Sequence, residues 1–167
     1  MDKALRAFAP LGNENTKVLV LGSFPSERSL QMQQYYAHPQ NQFWHILGAL
    51  WHIDLPTLPY EQRCAEALRR GLGIWDVYAS CERQGSLDSA IHNATVNDFA
   101  ALARQCPQLQ AIAHNGSESW RHHKHAASLG LPVYKLPSTS PANASWSFER
   151  KLQAWREVFM AHGLCAG

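Results

Sequence analysis

The apolar positions of this chain fall into short continuous runs that alternate with longer stretches of helical spacing. Residues 17–22, KVLVLG, are a β-branched apolar run closed by glycine. Such a run reads as a strand buried on both faces that feeds a tight loop, here SFPSERSL. From Asn41 onward Phe43, Leu47, Leu50 and Trp51, with Trp44 and Ile46 beside them, recur at helical spacing, and Pro39 suits a helix start. Asn41 is thereby expected in the first turn. A second helix is predicted over residues 59–70, closed by Gly71, and GIWDVYA, residues 73–79, reads as a strand bounded by glycine. A helix over 95–105, a strand over 109–115, a helix over 117–130 and a strand over 133–137 come next. The last helix, 147–162, carries Phe148, Leu152, Trp155 and Phe159 on one face. Strands alternating with helices at this spacing predict an α/β fold with a short, largely parallel central sheet covered on both faces.

Composition narrows the function classes. The chain has 167 residues, about the size of one domain, so residues 1–167 are expected to form a single unit. Hydrophobic residues make up 46% and charged residues 17%, so disorder is expected only at the ends. A formal net charge of +2 argues against a general polyanion binder but allows a local face that holds a few phosphates. The N-terminal stretch MDKALRAFAPLGNENTK has no continuous apolar region, and no segment nears the ~20 apolar residues of a membrane span. A cytoplasmic protein is expected. Cys64, Cys81, Cys106 and Cys165 stand far apart without a CxxC pair, which points to buried free thiols and to no metal site.

Ligands of such a sheet bind beyond the carboxyl ends of its strands. Four loops therefore make one candidate site: Gly22, Ser23, Phe24, Pro25 and Ser26; the segment around Asp76 and Tyr78; His114, Asn115 and Gly116; and Pro137, Ser138, Thr139, Ser140 and Pro141. The aromatic segment YYAHPQNQFW, residues 35–44, is expected to overhang the same edge. GSFPS lacks the Gly-Lys-Ser/Thr ending of a nucleotide P-loop and the Gly-x-Ser-x-Gly of a nucleophile elbow. What the loops offer is amides, small hydroxyls and aromatic faces. Ser138 and Ser140 suit phosphate oxygens, while Phe24, Tyr35, Tyr36 and Phe43 present flat surfaces to a base. Singly, each has a plainer use: a stiff turn, a core aromatic, or for Asn41 a helix cap. His38 is read as structural, and Arg121, His122, His123, Lys124 and His125 as a cationic stripe on one helix, either solvated or facing DNA.

Together, GSFPSERSL, YYAHPQNQFW, GIWDVYAS, AHNG and LPSTSPAN, in this order, resemble the uracil-DNA glycosylase superfamily, most closely its hypoxanthine-DNA glycosylase branch. The likeness runs from Lys17 to about Phe159, and its most specific element is Tyr35, Tyr36, His38, Pro39, Asn41, Phe43 and Trp44. It implies a three-layer α/β/α sandwich, a monomer without cofactor, and excision of a damaged base, hypoxanthine, from DNA containing deoxyinosine. The resemblance makes Asn41 the catalytic asparagine and assigns Gly22, Ser23, Phe24 and Pro25 to the base and water pocket, which Tyr36, Phe43, Asp76 and Asn115 complete. It assigns the segment from Leu136 to Ala142 to DNA, so that Ser26, Pro137, Ser138, Thr139, Ser140, Pro141 and Asn143 become the DNA-binding set. Asp76 falls where related enzymes read the base at a strand end.

Two departures bear on mechanism. Uracil enzymes of the superfamily often carry an Asp in the first motif and a His opening the second, where this chain has Ser23-Phe24 and Leu136. Glycosidic cleavage passes through an oxocarbenium-like sugar, so the water needs positioning more than deprotonation, and an asparagine amide can do that. Stabilising the departing base is left to loop amides near Phe24, to Asn115 or to Asp76. A uracil- or mismatch-specific glycosylase, a nucleic-acid-binding domain without catalysis, and a hydrolase of free nucleosides are the alternatives.

Overall fold

The computed structural model describes residues 4–166. In chain order the first half contains β1 (Ala4–Arg6), β2 (Val18–Gly22), α1 (Glu27–Met32), α2 (Phe43–Trp51), α3 (Tyr60–Arg69), β3 (Leu72–Asp76) and β4 (Tyr78–Glu82). The second half contains β5 (His92–Val96), α4 (Phe99–Gln105), β6 (Ala111–Asn115), α5 (Ser117–Trp120), α6 (His123–Ala127), β7 (Val133–Leu136) and α7 (Phe148–Ala161). Short 3-10 turns cover Leu55–Thr57 and Asp88–Ala90.

Four strands form a parallel sheet in the order β3-β2-β6-β7. Side chains alternate across a strand, so β2 serves a core on each face of the sheet. Val18 and Val20 join the aromatic core with Phe43, Trp44, Trp155 and Phe159. Leu19 and Leu21 point the other way and pack with Phe99, Leu102 and Ala126. Helices therefore cover both faces, the α/β/α layering expected, and β2, β3 and β6 are buried along their whole length. Among the described residues no helix is long and apolar enough to cross a membrane. All four cysteines are free, Cys81 and Cys106 buried, Cys64 and Cys165 half-buried.

Four expectations need correction. A second, antiparallel sheet in the order β1-β4-β5 was not foreseen. It exists because the run 73–79 is two strands: Val77 N–H still donates to Gly22 O at 2.8 Å, and beyond it β4 leaves to pair with β1 and β5. β5 takes Thr95 and Val96, so α4 starts only at Phe99, where the side chain of Asp98 caps Ala101 N–H. The SERSL loop contains α1, whose N-cap Ser26 accepts from Ser29 N–H; a serine directly before a glutamate is a helix-start signal that the preceding Pro25 obscures. Finally, the helix over 117–130 is broken at Arg121–His122 into α5 and α6. His122 Nε2 lies 2.9 Å from the Tyr78 hydroxyl and His123 stacks on Trp120 at 4.1 Å, so two members of the cationic stripe are committed to local packing.

Gly48 in α2 lets the chain fold back after the helix: a Cβ there would lie 2.8 Å from Ile53 O and 3.3 Å from Leu55 Cβ. Gly48→Ala is expected to destabilise the fold by about 1–3 kcal/mol, the scale of overpacking, read as a lower urea midpoint at unchanged slope.

Candidate active site

Register sets out the site. At the C-terminal edge of the parallel sheet Gly22 of β2 pairs with Asp76 of β3, and Asn115 of β6 pairs with Leu136 of β7. The loops leaving these strands, with the segment 35–41 after α1, border one groove of about 1320 Å³. Gly22, Ser23, Phe24, Pro25, Ser26, Tyr36, His38, Asn41, Asp76, Asn115 and residues 137–141 and 143 all line it. Most of the residues singled out in the sequence are thus gathered, but Phe43, Tyr78 and His114 do not line the groove. Phe43 is fully buried and stacks behind Tyr36, ring centroids 4.0 Å apart, so it backs the wall and does not form it. Thr139, grouped with the DNA-binding residues, faces inward and is 1% exposed. Tyr35 is also buried, its hydroxyl donating to Ala9 O at 2.7 Å, which leaves Tyr36 as the flat face that the pair offers to the groove.

Asn41 sits one residue before the α2 cap and not inside its first turn, because Gln42 is the N-cap residue. Its Oδ1 accepts from Phe43 N–H at 2.9 Å. A carbonyl oxygen has two lone pairs, so this bond fixes the amide plane and leaves one lone pair and the NH₂ for another partner. Neighbouring Gln42 ties this turn to the rest of the site: its N–H donates to Thr139 O at 2.9 Å, and its Oε1 accepts from Lys151 Nζ at 2.8 Å. Lys151, on α7, is 2% exposed, and burial holds its ammonium below the usual lysine range. His38 Nδ1 accepts from Gln40 N–H at 3.1 Å.

Asn115 joins three segments. Its Oδ1 accepts from Thr139 N–H at 3.0 Å, and its Nδ2 donates to Thr139 Oγ1 at 3.0 Å and to the Tyr36 hydroxyl at 3.2 Å. Tyr36 is held at φ 55, in the left-handed region, and burial, then the nearby Asp76 charge, raises its phenol above the usual range. In the loop 137–143, Ser138 Oγ accepts from Ser140 N–H at 3.1 Å and Ser140 Oγ accepts from Ala142 N–H at 3.2 Å. Both hydroxyls are acceptors inside the turn, and their protons remain free to donate outward.

Asp76 is the electrostatic centre. It is 3% exposed, its Oδ2 has no partner among the described residues, and a Cβ on Gly22 would come within 2.7 Å of its Oδ1. Burial, reinforced by Asp88 and opposed by Arg83, pushes its pKa up to about 7. Asp88 comes from the 3-10 turn of the antiparallel sheet's connection, where its Oδ1 accepts from Ser23 Oγ at 2.7 Å. Arg83, 5% exposed, donates to Pro25 O at 2.6 Å and lies 5.2 Å from the Phe24 ring. Sequence reasoning missed Asp88, Arg83 and Lys151, since each reaches the site from a distant element. Trp146, stacked under Arg150 at 4.0 Å, lines the outer wall and was missed as well; an aromatic three residues past Asn143 was the available signal. His114 does not enter the groove. Its Nδ1 donates to Ser119 Oγ, which donates to Leu21 O, and burial pushes its pKa down to about 4. Among the described residues no three His, Cys, Asp or Glu side chains gather as a metal-ligand set.

A family model described as the uracil DNA glycosylase superfamily matches residues 9–159. The chain belongs to the uracil-DNA glycosylase superfamily. Two relatives named hypoxanthine DNA glycosylase, from Methanosarcina acetivorans and Methanosarcina barkeri, are 36% and 34% identical over 154 residues, covering 92% of this chain and 97% of each relative. A solution NMR structure of a Methanosarcina acetivorans protein has a TM-score of 0.86 at 34% identity, covering 95% of this chain and 98% of that one. In this uracil-DNA glycosylase superfamily member the groove occupies the strand-end position expected for an open α/β sheet.

The placement of Asp76 has a consequence for stability. Its folded pKa of about 7 lies above the ordinary 3.8, so between these values the folded chain binds more protons than the unfolded one. Stability from this group is complete below its unfolded pKa and is lost as pH rises toward its folded pKa. Asp76→Asn is therefore expected to exceed wild type in stability at about pH 8 by on the order of 1–3 kcal/mol and to match it near pH 4. Thermal melts at both pH values measure the difference, and an equal gap at both would show Asp76 to be ionised throughout.

Proposed function

We propose that this protein is a monofunctional DNA glycosylase that flips hypoxanthine out of deoxyinosine-containing DNA and hydrolyses its N-glycosidic bond, leaving an abasic site. The observation that carries the reading is the meeting of Asn41, Tyr36 and the 137–143 turn on one groove, in a chain whose two named relatives are hypoxanthine DNA glycosylases. An extruded base needs an aromatic face and polar edge contacts in a snug pocket. Tyr36, backed by Phe43, offers that face, and Phe24 and Pro25 line the same groove.

Asn41 then holds the water. With Phe43 N–H fixing its Oδ1, the remaining lone pair accepts one water proton and aims the water's own lone pair at the sugar C1′. An amide has no useful basicity near neutral pH, so the role is orientation and not proton abstraction. Capping and water positioning are compatible uses of one side chain here. The outward-donating hydroxyls of Ser138 and Ser140 suit phosphate oxygens, with Ser26, Pro137, Pro141 and Asn143 shaping that contact. The protein acts as a monomer in this reading.

Purified protein, without added metal, is expected to release hypoxanthine from an end-labelled deoxyinosine duplex, scored by alkaline cleavage of the abasic strand. Strong product from deoxyuridine with none from deoxyinosine would make it a uracil enzyme, binding without cleavage at saturating enzyme would make it a non-catalytic domain, and equal activity on free deoxyinosine would make it a nucleoside hydrolase. Asn41→Ala is expected to lower the single-turnover rate about 10²-fold or more while DNA affinity is retained. Asn41→Asp, which keeps an acceptor for Phe43 N–H, is expected to fall between the two. A wild-type rate in Asn41→Ala would reduce Asn41 to a helix cap.

A further inference from the structure

Cleavage of the bond between C1′ and the purine N9 sends the electron pair to the base, and the group that receives this growing charge decides how fast the base leaves. The structure narrows the candidates. The Asn115 NH₂, the donor of its side chain, is spent: its two protons go to Thr139 Oγ1 and the Tyr36 hydroxyl. His114 is fully buried beneath the sheet edge with its Nδ1 proton given to Ser119. Lys151 is committed to Gln42. Arg83 lies behind Phe24, bonded to Pro25 O, and does not line the groove. Asp76 lines the groove, and its buried Oδ2 has no hydrogen-bond partner among the described residues.

We propose that Asp76 is the leaving-group acid of this site, its carboxyl carrying a proton that it donates to the departing purine. The inference rests on the hypoxanthine-excision reading and deepens it. A buried carboxyl with one oxygen left without a donor is disfavoured as the anion and held in its neutral form, which turns an acceptor-only side chain into a donor. An ionised Asp76 would instead repel the base as its negative charge grew. The groups that face it agree with this state. Asp88, fixed by Ser23 on the 3-10 turn, adds a like charge where burial already disfavours ionisation. Arg83, just after β4, opposes them and is the one cation acting on it among the described residues. Tyr35 and Tyr36, from the segment after α1, are phenols kept neutral by burial. Gly22 matters for the same reason: only a residue without Cβ leaves the space that the carboxyl and the Tyr36 hydroxyl occupy, 2.7 and 2.8 Å from where a Cβ would stand.

The step balances. As C1′–N9 breaks, the pair moves onto the base, which takes the Asp76 proton; the water held by Asn41 bonds through oxygen to C1′, and its surplus proton restores the acid by way of solvent. The products are hypoxanthine and the abasic sugar.

The test is the single-turnover rate of deoxyinosine excision from about pH 5.5 to 9 for wild type, Asp76→Asn and Asp76→Leu at saturating enzyme. The wild-type rate is expected to fall about tenfold per pH unit once Asp76 ionises, near its pKa of about 7. Asp76→Asn retains an N–H donor that does not titrate, so its rate relative to wild type is expected to climb by the same factor across that limb. Taking the ratio cancels ionisation of the substrate's own N1–H, which both proteins share. Asp76→Leu, without a donor, is expected to lose about 10²-fold at the low end of the range. A flat ratio of Asp76→Asn to wild type, or a wild-type rate that increases with pH, overturns the assignment even if a variant folds poorly, because the wild-type profile stands alone. Absence of excision by wild type at every pH overturns the glycosylase reading instead, and with it this one.

Discussion

The amide of Asn115 is the joint on which the site depends. One side chain at the end of a fully buried strand satisfies the amide and hydroxyl of Thr139 and steadies the hydroxyl of Tyr36. Thr139 passes the constraint on through its carbonyl to Gln42 N–H, next to Asn41. Such a bond is worth only about 1 kcal/mol net, but leaving buried partners unmade costs more. The three loops are therefore most stable together: moving the 137–143 turn would strand the Asn115 amide and the Gln42 N–H at once. Rigidity of this kind suits the water positioning proposed for Asn41.

Charge is arranged differently from geometry. The loops that shape the groove come from the parallel sheet, yet Asp88 and Arg83, which act on Asp76, come from the antiparallel sheet and its connection. Ser23 and Pro25, in the first loop, receive those contacts. A motif that looks bare of carboxylate in one dimension is thus accompanied by one in three. Arg83 keeps two guanidinium nitrogens without partners among the described residues, and its contact with the Phe24 ring offsets part of that cost.

How much of this is legible in the sequence depends on how local each signal is. The run 18–21 announces a buried strand because every position is apolar, and α2 and α7 announce themselves through aromatic spacing. The split of 73–79 into two strands carries no local mark, since Val77 continues the apolar run and only its partner strands differ. β5 is polar and exposed along HNAT, so no hydrophobic pattern points to it. In the site, Asp76 is legible from the strand-end rule and the resemblance together, and Asn41 and Tyr36 from the resemblance. Phe43 and Thr139 are legible as neighbours but not in orientation: whether a side chain fills the groove or backs it is decided by packing against Tyr36 and Asn115. Lys151 and Asp88 are more than a hundred and more than sixty residues from their partners, so no spacing rule reaches them.

That long span gives the chain an order of assembly. The turn bearing Asn41 lies in the first third of the sequence, yet Lys151 and Trp155, which hold Gln42 Oε1 and Pro137 O, lie on the last helix. A growing polypeptide that has already made the aromatic segment and the sheet still lacks the ammonium that anchors the turn. Completion of the groove thus waits on the final helix, whose Trp155 and Phe159 also complete the aromatic core. The buried lysine thus ties the setting of the turn next to Asn41 to the arrival of α7.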